Sequence, residues 1–366
     1  MNRYLDFSSI NNIKILAMGM NLQMWKITNN NNMNILKNFD TCIIVPLFNE
    51  LLHYKKNNFK NPIMVYLEQD DLHDIGNRKY LKQLLRLKHD HTPLFIIIDE
   101  LLKDISYKRL QRVFSIYKYQ NSLINRRIYN VPLFHLPKQI KVIFSDFFYD
   151  EFFAKQTIWN IINKSTKSKP FTRAQFHFNF KDENRINVCP YCDIDTTYNI
   201  GNNQVEHFLP KSKYPLLSMN AYNLVSSCIS CNSTFEGKSN DLLTPIISPY
   251  SNQIGDLIKF SMEIKTQNIK LETDINEVNN FITLLNLRER YSNKNVYENV
   301  FIKGETLYST ILSNEAHGND MSEEEIKDYI KNMSFLKPKN DPMYFAITHI
   351  YSDYNKYKEF VAENIT

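Results

Sequence analysis

The sequence predicts an α+β protein in three segments: residues 1–160 as an α/β domain, 161–250 as a small cysteine-stapled module, and 251–366 as a helical region. Short apolar runs rich in β-branched residues recur through the first 150 residues, and two C-x2-C pairs bracket the middle. Apolar residues after 250 recur at helical spacing. With 366 residues, 43% of them apolar and 23% charged, the chain can bury two or three cores, which excludes whole-chain disorder.

Taking the elements in order, MNRYLDFSSI carries charges where a signal peptide would carry an apolar run, and no uninterrupted apolar stretch reaches spanning length. A soluble cytoplasmic protein without membrane contact is expected. The Asn-rich NNNNMN at 29–34 reads as a surface loop. CIIVPLF (42–48), PIMVYLE (62–68), PLFIIIDE (93–100) and IKVIFSD (140–146) read as buried strands, with YLKQLLRL and YKRLQRVFSIY as helices between them. Asp99 and Glu100 then mark the polar end of a strand. FIIIDE looks like the acidic strand end of a nucleotide hydrolase, but the phosphate cradle is missing, because G-x-x-x-x-G-K-[ST] is absent and only Gly19 and Gly76 precede residue 200. Cys42, within an apolar run, reads as a small core residue.

The net charge of +5 is mild but uneven. Residues 105–145 hold eight Lys/Arg and no acid, among them Arg109, Arg112, Arg126 and Arg127, interleaved with Tyr107, Phe114, Tyr117, Tyr119, Tyr129 and Phe134. A second acid-free run spans 152–181. Cations among aromatics suit a polyphosphate backbone with bases to stack on; a solvated helix face over an aromatic core is the alternative. NKSTKSKPFTR (163–173) reads as a linker at a domain boundary. Beyond 250, INEVNNFITLLNL places Ile275, Val278, Phe281, Ile282 and Leu285 on one helical face, and Ser322 with Glu325 forms a capping box.

The strongest signal lies in CPYC and CISC, which set Cys189 and Cys192 against Cys228 and Cys231. Five cysteines in 366 residues are too few for a disulfide framework, and a redox CPYC would not require the second pair. Two such knuckles suit tetrahedral thiolate ligation of a structural Zn2+. Between and just beyond them lie Glu206, His207, Asn223 and Asn232. An imidazole titrating near neutrality can take a proton from water, while carboxylate and amide oxygens suit a hard divalent cation. Base and Lewis acid together are the minimum for hydrolysing a phosphodiester.

EHFLPKSKYP…NLVSSCISCNSTFEGK, framed by CPYC and CISC, resembles the zinc-stapled HNH endonucleases of the ββα-metal nuclease class. The resemblance implies His207 as general base, Glu206 and Asn232 as ligands of a catalytic Mg2+ or Mn2+, and Asn223 as the residue that orients the hairpin and the histidine. It further implies that Lys211, Lys213 and Lys238 face phosphates. Glu206 stands where Asp is commoner. ISPYSNQIGDLIKF and LLNLRERYSNKNVYENV are similar to the tail of a larger prokaryotic HNH family often found in antiphage defence. That similarity implies DNA as substrate and an ATPase or guide-loaded defence protein as partner. The competing expectations are a non-cleaving zinc-stabilised module that binds nucleic acid or protein, and a nuclease directed at RNA.

Overall fold

The computed structural model describes residues 26–69, 75–198, 203–232, 242–317, 321–332 and 336–365. The chain divides into two compact units, one of Thr28–Arg185 with Thr197–Ile246, the other chiefly of Ile186–Thr196 and Ile247–Thr366. Helices dominate, and the described strands form three two-stranded antiparallel sheets, an α+β composition.

In the first unit the four apolar runs are helical, contrary to the strand expectation. Val45–Lys56, Ile63–Glu68 and Leu94–Asp104 are α-helices, while Asp40–Ile44 and Val142–Phe148 are π-helical turns within longer helices. Prolines mark three of the starts, since Pro62, Pro93 and Pro137 are N-caps, places where a missing N–H costs nothing, whereas Pro46 directly follows the π-helical turn inside a continuous helical run. The runs look strand-like because they are buried, not because they alternate. Phe39 packs edge-on against Phe148 and Phe152, with centroids 5.5 and 5.1 Å away, in a core that also holds Ile43, Leu84, Ile98 and Phe147. Burying each such side chain contributes about 1.5–3 kcal/mol. Asp99 lies mid-helix, where its carboxylate accepts the Ile63 N–H at 2.7 Å and so serves the start of the neighbouring helix. Among the described residues of this stretch the strands are the short β1 (Lys88–His89) and β2 (Thr92–Pro93).

The Asn-rich segment also departs from expectation, since Asn30–Phe39 is a helix. Buried Asn29 donates to the carbonyls of Ala221 (2.7 Å) and Leu224 (3.2 Å), and buried Asn32 donates to Phe176 O at 3.1 Å. These amides tie the start of the helix to carbonyls far away in sequence. Residues 164–172 form a loop joining Gln156–Asn163 to Arg173–Asn184, and Thr172 and Gln175 form a reciprocal capping box at the second helix.

A hairpin completes this unit. β3 (Asn203–His207) pairs with β4 (Leu224–Cys228) in the register Val205↔Ser226 and His207↔Leu224, and the short helix Ile229–Asn232 follows directly and packs on both strands. Val205, Leu216 and Leu224 extend the apolar core beneath it.

The second unit contains β5 (Lys259–Glu263) and β6 (Asn268–Glu272), a hairpin absent from the helical expectation, with Phe260 opposite Leu271. Helices Asn276–Leu284, Leu287–Tyr291, Lys294–Ala316, Glu323–Asn332, Tyr344–Tyr351 and Tyr354–Ile365 complete it. Val278, Phe281, Ile282 and Leu285 are buried as their spacing predicts, whereas Ile275 is the exposed N-cap. Glu325 N donates to Ser322 Oγ and Ser322 N to Glu325 Oε2, the predicted capping box. In Lys294–Ala316, a Cβ on Gly304 would lie 1.9 Å from Tyr351 Cζ, so only glycine admits that ring.

Candidate functional site

Cys189 and Cys192 belong to a tight turn closed by Cys189 N–H to Asp195 O (2.8 Å) and Asp193 N–H to Cys189 O (3.0 Å), with Asp193 in the left-handed region. Tyr291 Oη donates to Cys192 O at 2.9 Å, Arg290 pairs with Asp195 at 2.8 Å, and Asp193 accepts the Phe345 N–H at 3.0 Å. Cys228 ends β4, and Cys231 lies in the helix that follows. All four cysteines are buried, and one sulfur from each lies within 4.8 Å of the others. Tetrahedral Zn–S bonds of about 2.3 Å would separate sulfurs by about 3.8 Å. Ile194 N–H points to Cys192 Sγ and Cys231 N–H to Cys228 Sγ, both at 3.4 Å, which favours thiolates. The set fits a zinc ion. Among the described residues it is the sole such gathering of three or more His, Cys, Asp or Glu ligands, and His207 is not part of it.

His207, the last residue of β3, is 5% exposed. Its Nε2 lies 3.0 Å from the Ser218 carbonyl, and its ring meets Tyr149 edge-on with centroids 4.4 Å apart. A carbonyl only accepts, so Nε2 carries a hydrogen, and in the neutral tautomer the lone pair lies on Nδ1. Ser218 is itself fixed, its hydroxyl donating to Phe144 O at 2.6 Å. Asn223, fully buried, accepts the Leu209 N–H at 2.8 Å and donates to the carbonyls of Leu209 and Leu217, both at 3.2 Å. One amide thus clamps both ends of the loop that carries the Ser218 carbonyl to the imidazole. Glu206, next to His207, and Asn232, at the end of the helix after β4, are partly buried.

Tyr149 was not foreshadowed by any motif. Its hydroxyl donates to Val205 O at 2.6 Å, and burial holds its phenol well above the usual range, with Arg173 lowering it and Glu206 raising it. Lys211 Nζ lies 5.1 Å from the Tyr149 ring centroid and donates to Ser145 O at 3.1 Å. Lys213 is partly buried nearby in the chain, and Lys238 lies outside the described residues.

The basic run separates into two layers. Phe114, Tyr117 and Tyr129 are core residues and offer no platform for bases, which corrects that part of the stacking expectation. Arg109 and Arg112 are exposed and line a groove of about 480 Å³ with Lys108, Phe134 and His135. Arg126 donates to Ser122 O at 3.3 Å, and Arg127 lies 3.2 Å from the Tyr222 ring centroid, a structural stacking. If this groove takes a nucleic-acid backbone, neutralising Arg109 and Arg112 should weaken DNA binding and lower the slope of log affinity against log salt by about 0.9 per lost phosphate contact, with Arg126→Gln having less effect. A salt titration by fluorescence anisotropy measures this, and an unchanged slope would leave the groove a solvated surface.

His177 lies under the hairpin, 2% exposed, its Nδ1 2.7 Å from Ser226 Oγ. Burial, then Lys181 and Arg173, lowers it from 6.5 to about 4. The unfolded chain thus binds a proton that the folded chain refuses between those values. Stability should fall as pH drops from about 6.5 to 4 and level off below, by roughly 3 kcal/mol in all. Melting curves of wild type and His177→Asn across that window should differ in slope, the variant being flatter.

Among the described residues no helix is long and apolar enough to cross a membrane. No protein-family model matches the chain, and no solved structure is significantly similar to it. Over 92 residues the chain is 34% identical to the Septu protein PtuB of Bacillus thuringiensis, a match covering 24% of this chain and 35% of that relative. The match spans only about a third of that relative's own length.

Proposed function

We propose that this protein is a metal-dependent HNH endonuclease that hydrolyses DNA phosphodiester bonds in antiphage defence. The observation that carries this reading is the Ser218 carbonyl on His207 Nε2, which leaves Nδ1 as the basic nitrogen of a histidine on a β-hairpin followed by a helix. The zinc-compatible cysteines and the similarity to PtuB support it further. His207 Nδ1 takes a proton from water as the oxygen attacks phosphorus in line, and Asn223 keeps the imidazole from turning by holding the loop against it. Glu206 and Asn232 supply the hard oxygen donors that suit Mg2+ or Mn2+, and such an ion, when bound, supplies positive charge against the charge that develops on phosphate oxygens. The products are 5′-phosphate and 3′-hydroxyl ends. An ATPase or guide-loaded protein as partner would restrain an activity dangerous to its own cell.

Supercoiled plasmid incubated with Mg2+ or Mn2+, against EDTA, should be nicked only with the ion. Binding of DNA without nicking, at any ion concentration, would favour a non-cleaving module. Cleavage confined to RNA would keep the mechanism and change the substrate.

A further inference from the structure

Two cations from different segments pack on the aromatic ring that touches the imidazole. Tyr149 touches His207 with one edge, while Arg173 Cζ lies 5.6 Å and Lys211 Nζ 5.1 Å from its ring centroid. Arg173 also lies over Phe153, at 5.3 Å, and meets Asp150 at 3.8 Å in a pair about half exposed on both sides. Such an exposed pair holds a guanidinium only loosely.

The position of Arg173 in its own helix is informative. It is the first residue of Arg173–Asn184, at the positive end of the helix dipole, and the first turn contains no acid to offset it. Its charge opposes the helix that carries it, so helix stability does not account for a cation there. A phosphate placed beside His207 would account for it, because a planar guanidinium grips two phosphate oxygens at once and the helix N-terminus adds attraction of the same sign.

We infer that Arg173 and Lys211, each beside the ring of Tyr149, grip the phosphate of the nucleic-acid substrate at the His207 site, with Tyr149 as the positioning residue. This rests on the nuclease reading for its location, though not for its test. Both cations pack on the Tyr149 ring, and Tyr149, by donating to Val205 O, ties them to the strand that ends in His207.

The test uses full-length protein carrying His207→Ala, so that a fluorescent DNA duplex persists during titration in Mn2+. Adding Arg173→Ala or Lys211→Ala should weaken binding about tenfold each and lower the salt slope by about 0.9, while Arg173→Lys restores the slope because the charge returns. Melting temperature should hold or rise in Arg173→Ala, since alanine relieves the dipole conflict. In otherwise wild-type protein, Arg173→Ala should raise KM with the pH profile of kcat/KM unmoved, because the base is untouched. A folded Arg173→Ala variant with unchanged affinity and slope would overturn the inference and leave Arg173 as a cover for Tyr149 and Phe153. If wild type never cleaves and binding still falls, the nuclease reading fails and the phosphate grip stands.

Discussion

Cys228→Ser should yield protein without zinc that fails to fold around the hairpin. Cys228 is the last residue of β4, opposite Asn203, and its Sγ accepts the Cys231 N–H, so one substitution removes a ligand and loosens the turn that presents a second. A structural zinc site contributes folding free energy outright, on the order of 10–16 kcal/mol apparent in small zinc-bound peptides, against a typical domain stability of roughly 5–15 kcal/mol. Loss of the ion is therefore enough to unfold the module. Elemental analysis of wild type should give one zinc per chain, and the variant should be zinc-poor and protease-sensitive. Zinc-free wild type, or a zinc-free variant that melts like wild type, would show that the four thiols are only a packed cluster.

His207→Ala should lower kcat by about 10²–10⁴-fold, which is roughly 3–5 kcal/mol of barrier, while zinc content stays at the wild-type level. Zinc is retained because the four cysteines complete the thiolate set without the imidazole. The burial of His207 against Tyr149 adds a requirement: truncation leaves a cavity, so the rate must be compared at a temperature where melting curves show both proteins folded. His207→Gln, which keeps much of the volume without a base, should be equally inactive. Wild-type nicking rates in either variant would refute the assignment of the base. Zinc loss in both would mean that His207 serves the structural ion instead. Asn232→Ala should also be inactive but partly rescued by raised Mn2+, since it removes an oxygen donor and leaves the base.

The sequence by itself determined the cysteine cluster, because thiols with two residues between them on a turn converge as a pair, and two such pairs suit a common centre. It likewise determined the Ser322–Glu325 cap and most of the Asn276–Leu284 face, where the interactions span three or four residues and are local. Only the tertiary structure decided the rest. In the run 94–98 Leu94, Ile97 and Ile98 are buried while Ile96 is exposed, but every residue of the run is apolar, so the one-faced burial that separates helix from strand is hidden in the sequence, and packing then chose a helix that begins after a proline. Asn29 and Asn32 carry loop-forming amides, yet here those amides meet carbonyls near 221–224 and 176 that lie far away in sequence. Tyr149 and Arg173 joined the His207 site for the same reason. Nothing within a few residues of either signals it, since an edge contact and a misplaced helix cation acquire meaning only when a distant strand brings the imidazole beside them.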